Sequence, residues 1–280
     1  MNEVIDKIIR NALAEDIGTG DITTSAVLNS KRKTSGKILI KEAGVLAGID
    51  IAEKVFSIYD RSLSFDIKIS NGSKVNPGDI AAIVSGNAAS VLTAERTALN
   101  FLQRMSGIAT LTSKFIEQVK HTKAKIIDTR KTAPGLRLPD KKAVKTGGGE
   151  NHRFGLYDMF LIKDNHIETA GSITNAVKSC KLYNEKSGNR FKIEIETKNI
   201  DEVKEAINCN VDIIMLDNFD IRNMTEAVKL INGKCKVEAS GGVTLQTVKS
   251  IAETGVDFIS VGALTHSVKA LDISLELLPE

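Results

Sequence analysis

Six short apolar runs in the second half of the chain, each followed by a polar or glycine-rich turn, constrain the fold more than any other feature. They are Lys125-Ile-Ile-Asp128, Met159-Phe-Leu-Ile-Lys163, Lys192-Ile-Glu-Ile-Glu196, Asp212-Ile-Ile-Met-Leu-Asp217, Lys236-Val-Glu-Ala239 and Asp257-Phe-Ile-Ser-Val261. The last four recur every 20 to 25 residues, the length of one strand plus one helix. This rhythm predicts an α/β barrel, incomplete because six strands are visible rather than eight. An open doubly wound sheet is the competing architecture.

The first hundred residues read differently. An amphipathic helix opens the chain, with Val4, Ile5, Ile8, Ile9 and Leu13 on one side. Strands are expected at Gly36–Glu42 and Leu63–Ile69, the second from its alternation of apolar and polar residues. A helical pattern covers 50–59, and turns fall at Asn71-Gly72 and Asn76-Pro-Gly-Asp79. The expectation is an α+β layer, a small antiparallel sheet with helices on one side. A long helix follows from about Ser90 to Lys120, interrupted near Gly107.

Composition narrows the function. With 280 residues, 42% of them hydrophobic, the chain can build a core without disulfide or metal staples. A net charge of +3, 4% aromatics and no Trp argue against nucleic-acid binding. Three cysteines, an odd number with no C-x-x-C spacing, read as free thiols in a reducing compartment. No apolar run approaches the roughly 20 residues of a membrane span. The acidic opening helix is unlike a signal or transit peptide. A cytoplasmic protein is expected.

Active sites of parallel α/β barrels lie at the carboxyl ends of the strands, and these ends are loaded with polar groups. The first ends in Asp128-Thr-Arg-Lys-Thr132 and the second in Lys163-Asp-Asn-His166. The next two end in Glu196 and Asp217-Asn218, the last two in Ser240-Gly-Gly242 and Gly262. Between Arg130 and Lys163 stand eight basic and three acidic residues, a local balance of +5. Lys141, Lys142 and Lys145 read as a solvated helix face. Arg130, Lys131 and Lys163 close buried strands and read as pocket residues for a small polyanion, since arginine grips carboxylate and phosphate bidentately and lysine acts as a point charge. Glu196 and Asp217 could hold a Mg²⁺, or pair with Lys163 or Arg130 instead. Glu194 shares a face with Glu196, but only Glu196 should reach the barrel mouth. Ser240-Gly241-Gly242 and Ser260-Val-Gly262 offer backbone N–H groups, with the following helix N-termini, for phosphate. No two of the four histidines have metal-ligand spacing, so a catalytic zinc is not expected.

Several longer motifs carry a resemblance. Asp128-Thr-Arg-Lys-Thr132, Gly147-Gly-Gly-Glu-Asn-His-Arg153, Leu161-Ile-Lys-Asp-Asn-His166, Leu216-Asp-Asn-Phe219, Glu238-Ala-Ser-Gly-Gly242 and Ser260-Val-Gly-Ala-Leu-Thr265 resemble those of the quinolinate phosphoribosyltransferase family. Glu15-Asp-Ile-Gly-Thr-Gly-Asp21, Glu95-Arg-Thr-Ala-Leu-Asn100 and Ser106-Gly-Ile-Ala109 match its amino-terminal half. Lys142 departs from the family, which often has an aromatic residue there.

The resemblance implies an amino-terminal α/β sandwich, residues 1–108 joined by 268–280, and an incomplete α/β barrel over 109–267. It implies conversion of quinolinate and phosphoribosyl pyrophosphate to nicotinate mononucleotide, pyrophosphate and CO₂ with Mg²⁺, in NAD biosynthesis. By motif match, Arg130, His152, Arg153 and Lys163 would bind quinolinate, and Lys131 would contact either ligand. Glu196 and Asp217 would hold the ribose hydroxyls and Mg²⁺, and with Lys131 form the catalytic set. Ser240, Gly241, Gly242 and Gly262, with His266 a further candidate, would cradle phosphate. Arg96 would reach the neighbouring site of a homodimer or a larger assembly of dimers. The rivals are the same fold acting on nicotinate, a sugar-phosphate aldolase with Lys163 as Schiff base, and a non-catalytic phosphate-binding protein.

Overall fold

The computed structural model describes residues 2–28 and 32–279. The opening helix α1 (Asn2–Ile17) buries Ile5, Ile9 and Leu13, one residue per turn, against α3 (Ile49–Tyr59), which contributes Ile51, Ala52, Val55 and Phe56 to the same core. Between them lie α2 (Ile22–Val27), β1 (Lys33–Ile40) and β2 (Gly44–Val45). Then come β3 (Ser64–Ile67), β4 (Lys74–Val75), β5 (Ile80–Asn87) and α4 (Ala88–Val119). The expected strands at 36–42 and 63–69 are therefore present with shifted ends. An antiparallel sheet runs β12-β1-β5-β3, where β12 (Ile273–Leu277) is the last strand of the chain. Short β2 and β4 form a separate pair.

The expected interruption near Gly107 does not occur. Helix α4 is continuous for 32 residues. Gly107 serves a different purpose: a Cβ at this position would lie 2.2 Å from the backbone oxygen of Lys269. The glycine lets the returning chain press against the helix, and tertiary packing outweighs the weak helix propensity of one residue.

The barrel strands are β6 (Lys125–Ile127), β7 (Phe160–Ile162), β8 (Ile193–Thr197), β9 (Ile213–Asp217), β10 (Lys236–Ser240) and β11 (Phe258–Ser260). They form one parallel sheet in the order β6-β11-β10-β9-β8-β7. That is barrel order opened between β6 and β7. The free edge of β6 is partly occupied by residue 150: Glu150 N–H donates to Ile126 O at 2.9 Å, and Asp128 N–H to Glu150 O at 3.2 Å. The intervening helices are α5 (Arg137–Thr146), α6 (Asp164–Ala170), α7 (Ile173–Ser187), α8 (Ile200–Asn208), α9 (Ile221–Ile231) and α10 (Val248–Glu253), with α11 (Ala263–His266) after β11.

The chain forms two units. The first comprises residues to Ser113, Thr132–Gly148 and Leu264 onward; the second comprises Lys114–Lys131 and Gly149–Ala263. Residues 132–148, expected within the barrel stretch, thus group with the first unit. Arg104 of α4 explains this: its Nε and Nη2 each donate at 2.8 Å to the buried carboxylate of Asp140 on α5, and Nη2 also reaches Thr265 O. The same helix corrects the reading of its lysines. Lys145 is exposed and Lys142 pairs with Asp50, but Lys141 is buried at 1% exposure. It lies on the face of α5 that also buries Asp140 and Val144. No described helix is long and apolar enough to cross a membrane.

Candidate active site

The second unit places its polar residues at the carboxyl ends of the barrel strands. Asp128, one residue beyond β6, is wholly buried. Its carboxylate accepts from the backbone N–H of His152 at 2.9 Å and from Asn151 Nδ2 at 2.5 Å. Asp128 therefore pins the Glu150-Asn-His-Arg153 segment beside its own strand end. A buried carboxylate is tolerable there because each bond to an ionised acceptor is stronger than a neutral one.

Cations converge next to it. Arg130 and Arg153 are both half-buried. Arg153 Nη1 donates to Met159 O at 3.3 Å, which sets its direction. Burial, and after it repulsion from the Arg130 guanidinium, pulls the Arg153 pKa below the ordinary arginine value. Two guanidiniums that disfavour one another form a site that gains by binding an anion. Lys131 is exposed, its backbone N–H bonded to Thr129 Oγ1 at 3.0 Å.

Lys163 leaves β7 as the N-cap of α6, with His166 Nδ1 accepting its backbone N–H at 2.9 Å. Its Nζ lies 2.8 Å from Glu196 Oε2 on the neighbouring strand β8. The Lys163 side chain is 48% exposed and that of Glu196 only 10%. Asp217 ends β9 in register with Ser240, which ends β10. Glu196, Asp217 and Ser240 thus stand on three consecutive strands of the sheet.

Beneath this level sits a cluster the sequence reading did not identify. His152 Nε2 donates to Glu194 Oε2 at 2.8 Å and lies 3.5 Å from Glu238 Oε2. Both glutamates are buried at 0% exposure. Burial by itself would lower the His152 pKa; the two carboxylates outweigh it and raise it to about 10. Burial first, and then repulsion from Glu238, pushes Glu194 up to about 7. The three ligand-type atoms lie within 4.8 Å of one another; the imidazole bonds one oxygen of Glu194, while Glu194 Oε1 and both Glu238 carboxylate oxygens have no hydrogen-bond partner among the described residues. Glu194 was read as sharing a face with Glu196 without reaching the mouth, and it is indeed the deeper of the two. Glu238 could have been found as an acid in the middle of a buried strand.

The turn after β10 requires its glycines. Gly241 and Gly242 have φ of 97° and 57°, a left-handed pair that side chains other than glycine resist. Helix α10 starts only at Val248, so the N–H groups adjoining Ser240 belong to the turn itself rather than to a helix N-terminus. Gly262 directly precedes the short α11. Arg96 and His266 belong to the first unit. Arg96 is exposed on α4 beside Glu95; His266 is exposed, its Nδ1 2.6 Å from Ser267 Oγ.

Parallel strands that end in a guanidinium pair, a lysine–carboxylate pair, a second carboxylate and a left-handed glycine turn define an α/β-barrel enzyme built for multiply anionic substrates. Residues 21–106 match the N-terminal domain of quinolinate phosphoribosyl transferase, and residues 108–276 match its C-terminal domain. The chain belongs to the quinolinate phosphoribosyltransferase family. It is 46% identical to quinolinate phosphoribosyltransferase [decarboxylating] 2b, mitochondrial, of Nicotiana tabacum, over 98% of this chain and 82% of that protein. It is 41% identical to the probable nicotinate-nucleotide pyrophosphorylase [carboxylating] of Bacillus subtilis, over 98% and 93%. The solved nicotinate-nucleotide pyrophosphorylase of Francisella tularensis superposes with a TM-score of 0.94 at 42% identity, covering 99% of this chain and 97% of that one.

Proposed function

We infer that this chain transfers the phosphoribosyl group of phosphoribosyl pyrophosphate to the ring nitrogen of quinolinate. The adjacent carboxylate leaves as CO₂, and the products are nicotinate mononucleotide and pyrophosphate, a step of NAD biosynthesis. The observation that carries this is the pair of half-buried guanidiniums of Arg130 and Arg153, which repel one another, with Lys163 a third cation just past the end of β7. One ring carboxylate does not need so much positive charge; a dicarboxylate does.

Arg130, Arg153, Lys163 and His152 hold the two carboxylates and so fix the ring nitrogen for attack. Positioning two substrates that repel one another is a large part of such catalysis. The ring nitrogen's electron pair forms the bond to the ribosyl carbon as the bond to pyrophosphate breaks, and pyrophosphate leaves with the two electrons of the broken carbon–oxygen bond. Lys131 neutralises charge on the leaving group. Lys163 exchanges Glu196 for a substrate carboxylate, which frees Glu196 for the ribose. Glu196 and Asp217 then stabilise positive charge developing on the ribosyl carbon. When the carboxylate departs, the quaternised nitrogen accepts the electron density and the ring carbon takes a proton from solvent. Ser240, Gly241, Gly242 and Gly262 receive the 5-phosphate.

Glu196 and Asp217 fit Mg²⁺: both are hard oxygen donors on adjacent strands, and each has only one oxygen engaged in a side-chain bond among the described residues. Bound there, the ion would supply charge neutralisation to the pyrophosphate. The site is shared in a homodimer or an assembly of dimers, with Arg96, exposed on α4, serving the neighbouring subunit. The enzyme works in the cytoplasm.

The test is release of pyrophosphate and CO₂ from quinolinate plus phosphoribosyl pyrophosphate, with nicotinate as the control base. Turnover of quinolinate alone is expected. Equal turnover of nicotinate would assign a different substrate, and trapping of Lys163 by borohydride would favour the aldolase reading.

A further inference from the structure

Three non-glycine residues among those described have positive φ: Asn210, Asn218 and Asn232. Two have ordinary explanations. Asn232 is the C-cap of α9, and Asn210 follows the C-cap of α8, both places where a left-handed residue ends a helix. Asn218 has no such role. It directly follows Asp217 at the end of β9, with φ of 57°. Uncommon backbone at a site points to a functional demand when the surroundings enforce it.

The surroundings do enforce it. Asn218 N–H donates to Ser240 O at 2.9 Å. Its Nδ2 donates to Asp217 Oδ2 at 2.8 Å. Its Oδ1 presses on Gly241 so closely that a Cβ at residue 241 would lie 2.1 Å away. Gly241 is therefore required not only by its own φ but by the Asn218 side chain lying over it. One residue thus touches the acid that ends β9 and both the first and second residues of the turn that ends β10. Asparagine suits the position: it tolerates left-handed backbone better than most residues. It also carries one donor and one acceptor group on a planar amide.

We propose that Asn218 is a positioning residue for phosphoribosyl pyrophosphate, holding the Asp217 carboxylate and the Ser240–Gly242 turn in fixed relation. Ribose and 5-phosphate are joined covalently in that substrate, so the acid and the turn must be in register to bind both. This rests on the roles assigned above to Asp217 and to the turn.

The test uses the full chain and two variants. Asn218→Gly keeps the left-handed backbone and removes the amide. Asn218→Asp keeps the shape but sets a second carboxylate against Asp217. Each is titrated calorimetrically with phosphoribosyl pyrophosphate in Mg²⁺ buffer without quinolinate, and separately with quinolinate. Both variants should bind phosphoribosyl pyrophosphate roughly tenfold more weakly, with quinolinate affinity unchanged. In an Asp217→Asn background the effect of Asn218→Gly should shrink, because coupled residues are non-additive. Unchanged affinity for phosphoribosyl pyrophosphate in both variants overturns the proposal, as does equal loss for both ligands or full additivity with Asp217→Asn. If Asp217→Asn by itself leaves that affinity intact, the assigned role of Asp217 fails instead, a result distinct from silence at Asn218 alone. Should Asn218→Gly not fold, Asn218→Asp decides.

Discussion

His152 Nε2 and Glu194 Oε2 lie 2.8 Å apart, joining the segment before β7 to the second residue of β8 inside the barrel. This bond, with Glu238 at 3.5 Å, makes the imidazole a buried cation, which gives stability a defined pH dependence. The folded pKa of His152 is about 10 against an ordinary 6.5. Its contribution is therefore complete below pH 6.5 and is lost as pH rises through 10. The raised Glu194 acts in the same direction between its ordinary 4.5 and about 7. Urea unfolding should show wild-type stability falling by on the order of a few kcal/mol from about pH 6.5 to about pH 9.5. His152→Gln should flatten that slope, and parallel slopes for the two proteins would refute the buried imidazolium.

Arg153→Ala should weaken quinolinate far more than phosphoribosyl pyrophosphate. Losing a charge-assisted bond to a buried anion costs roughly 1.5–3 kcal/mol. Removing Arg153 also relieves its repulsion with Arg130, so the loss should fall in the lower half of that range. Titration calorimetry with each ligand is the measurement, and equal losses would show that the arginine serves both.

Gly107→Ala raises helix propensity yet should destabilise the protein. The new Cβ would meet Lys269 O at 2.2 Å, and backbone cannot yield as a flexible side chain can. Overpacking of this kind costs about 1–3 kcal/mol, more than the roughly 1 kcal/mol that alanine gains over glycine in a helix. A lower melting temperature is expected; a higher one would mean that the contact is easily relieved.

Arg96→Ala and Lys131→Ala should each be inactive alone and partly active together after mild dissociation and reassociation. Two-fold symmetry makes each subunit give and receive the same contact. About half the dimers are then mixed, each with one intact site of two, so recovery should tend toward roughly a quarter of wild type. Demonstrated heterodimers that remain inactive would confine Arg96 to its own subunit or to a structural role.

Much of the architecture was readable along the chain because it depends on local periodicity. Apolar runs at a strand-plus-helix spacing specify parallel strands, and a polar residue just past each run must stand at a carboxyl end. Lys163, Glu196, Asp217 and Ser240 could be placed at strand ends on that basis alone. Their partners could not. His152 meets Glu194 across 42 positions of sequence, and Glu238 joins them only because β8 and β10 turn these side chains inward together. Gly107 reads as a helix breaker until Lys269 is seen against it, and Lys141 reads as solvated until α5 is seen to bury that face. Asn218 looks like any turn residue until Asp217, Ser240 and Gly241 surround it. Strand and helix follow from short-range backbone and side-chain patterns. Pairing of buried charges and close approach of backbones depend on which distant segments meet, and that is set when the sheet curls and the chain packs upon itself.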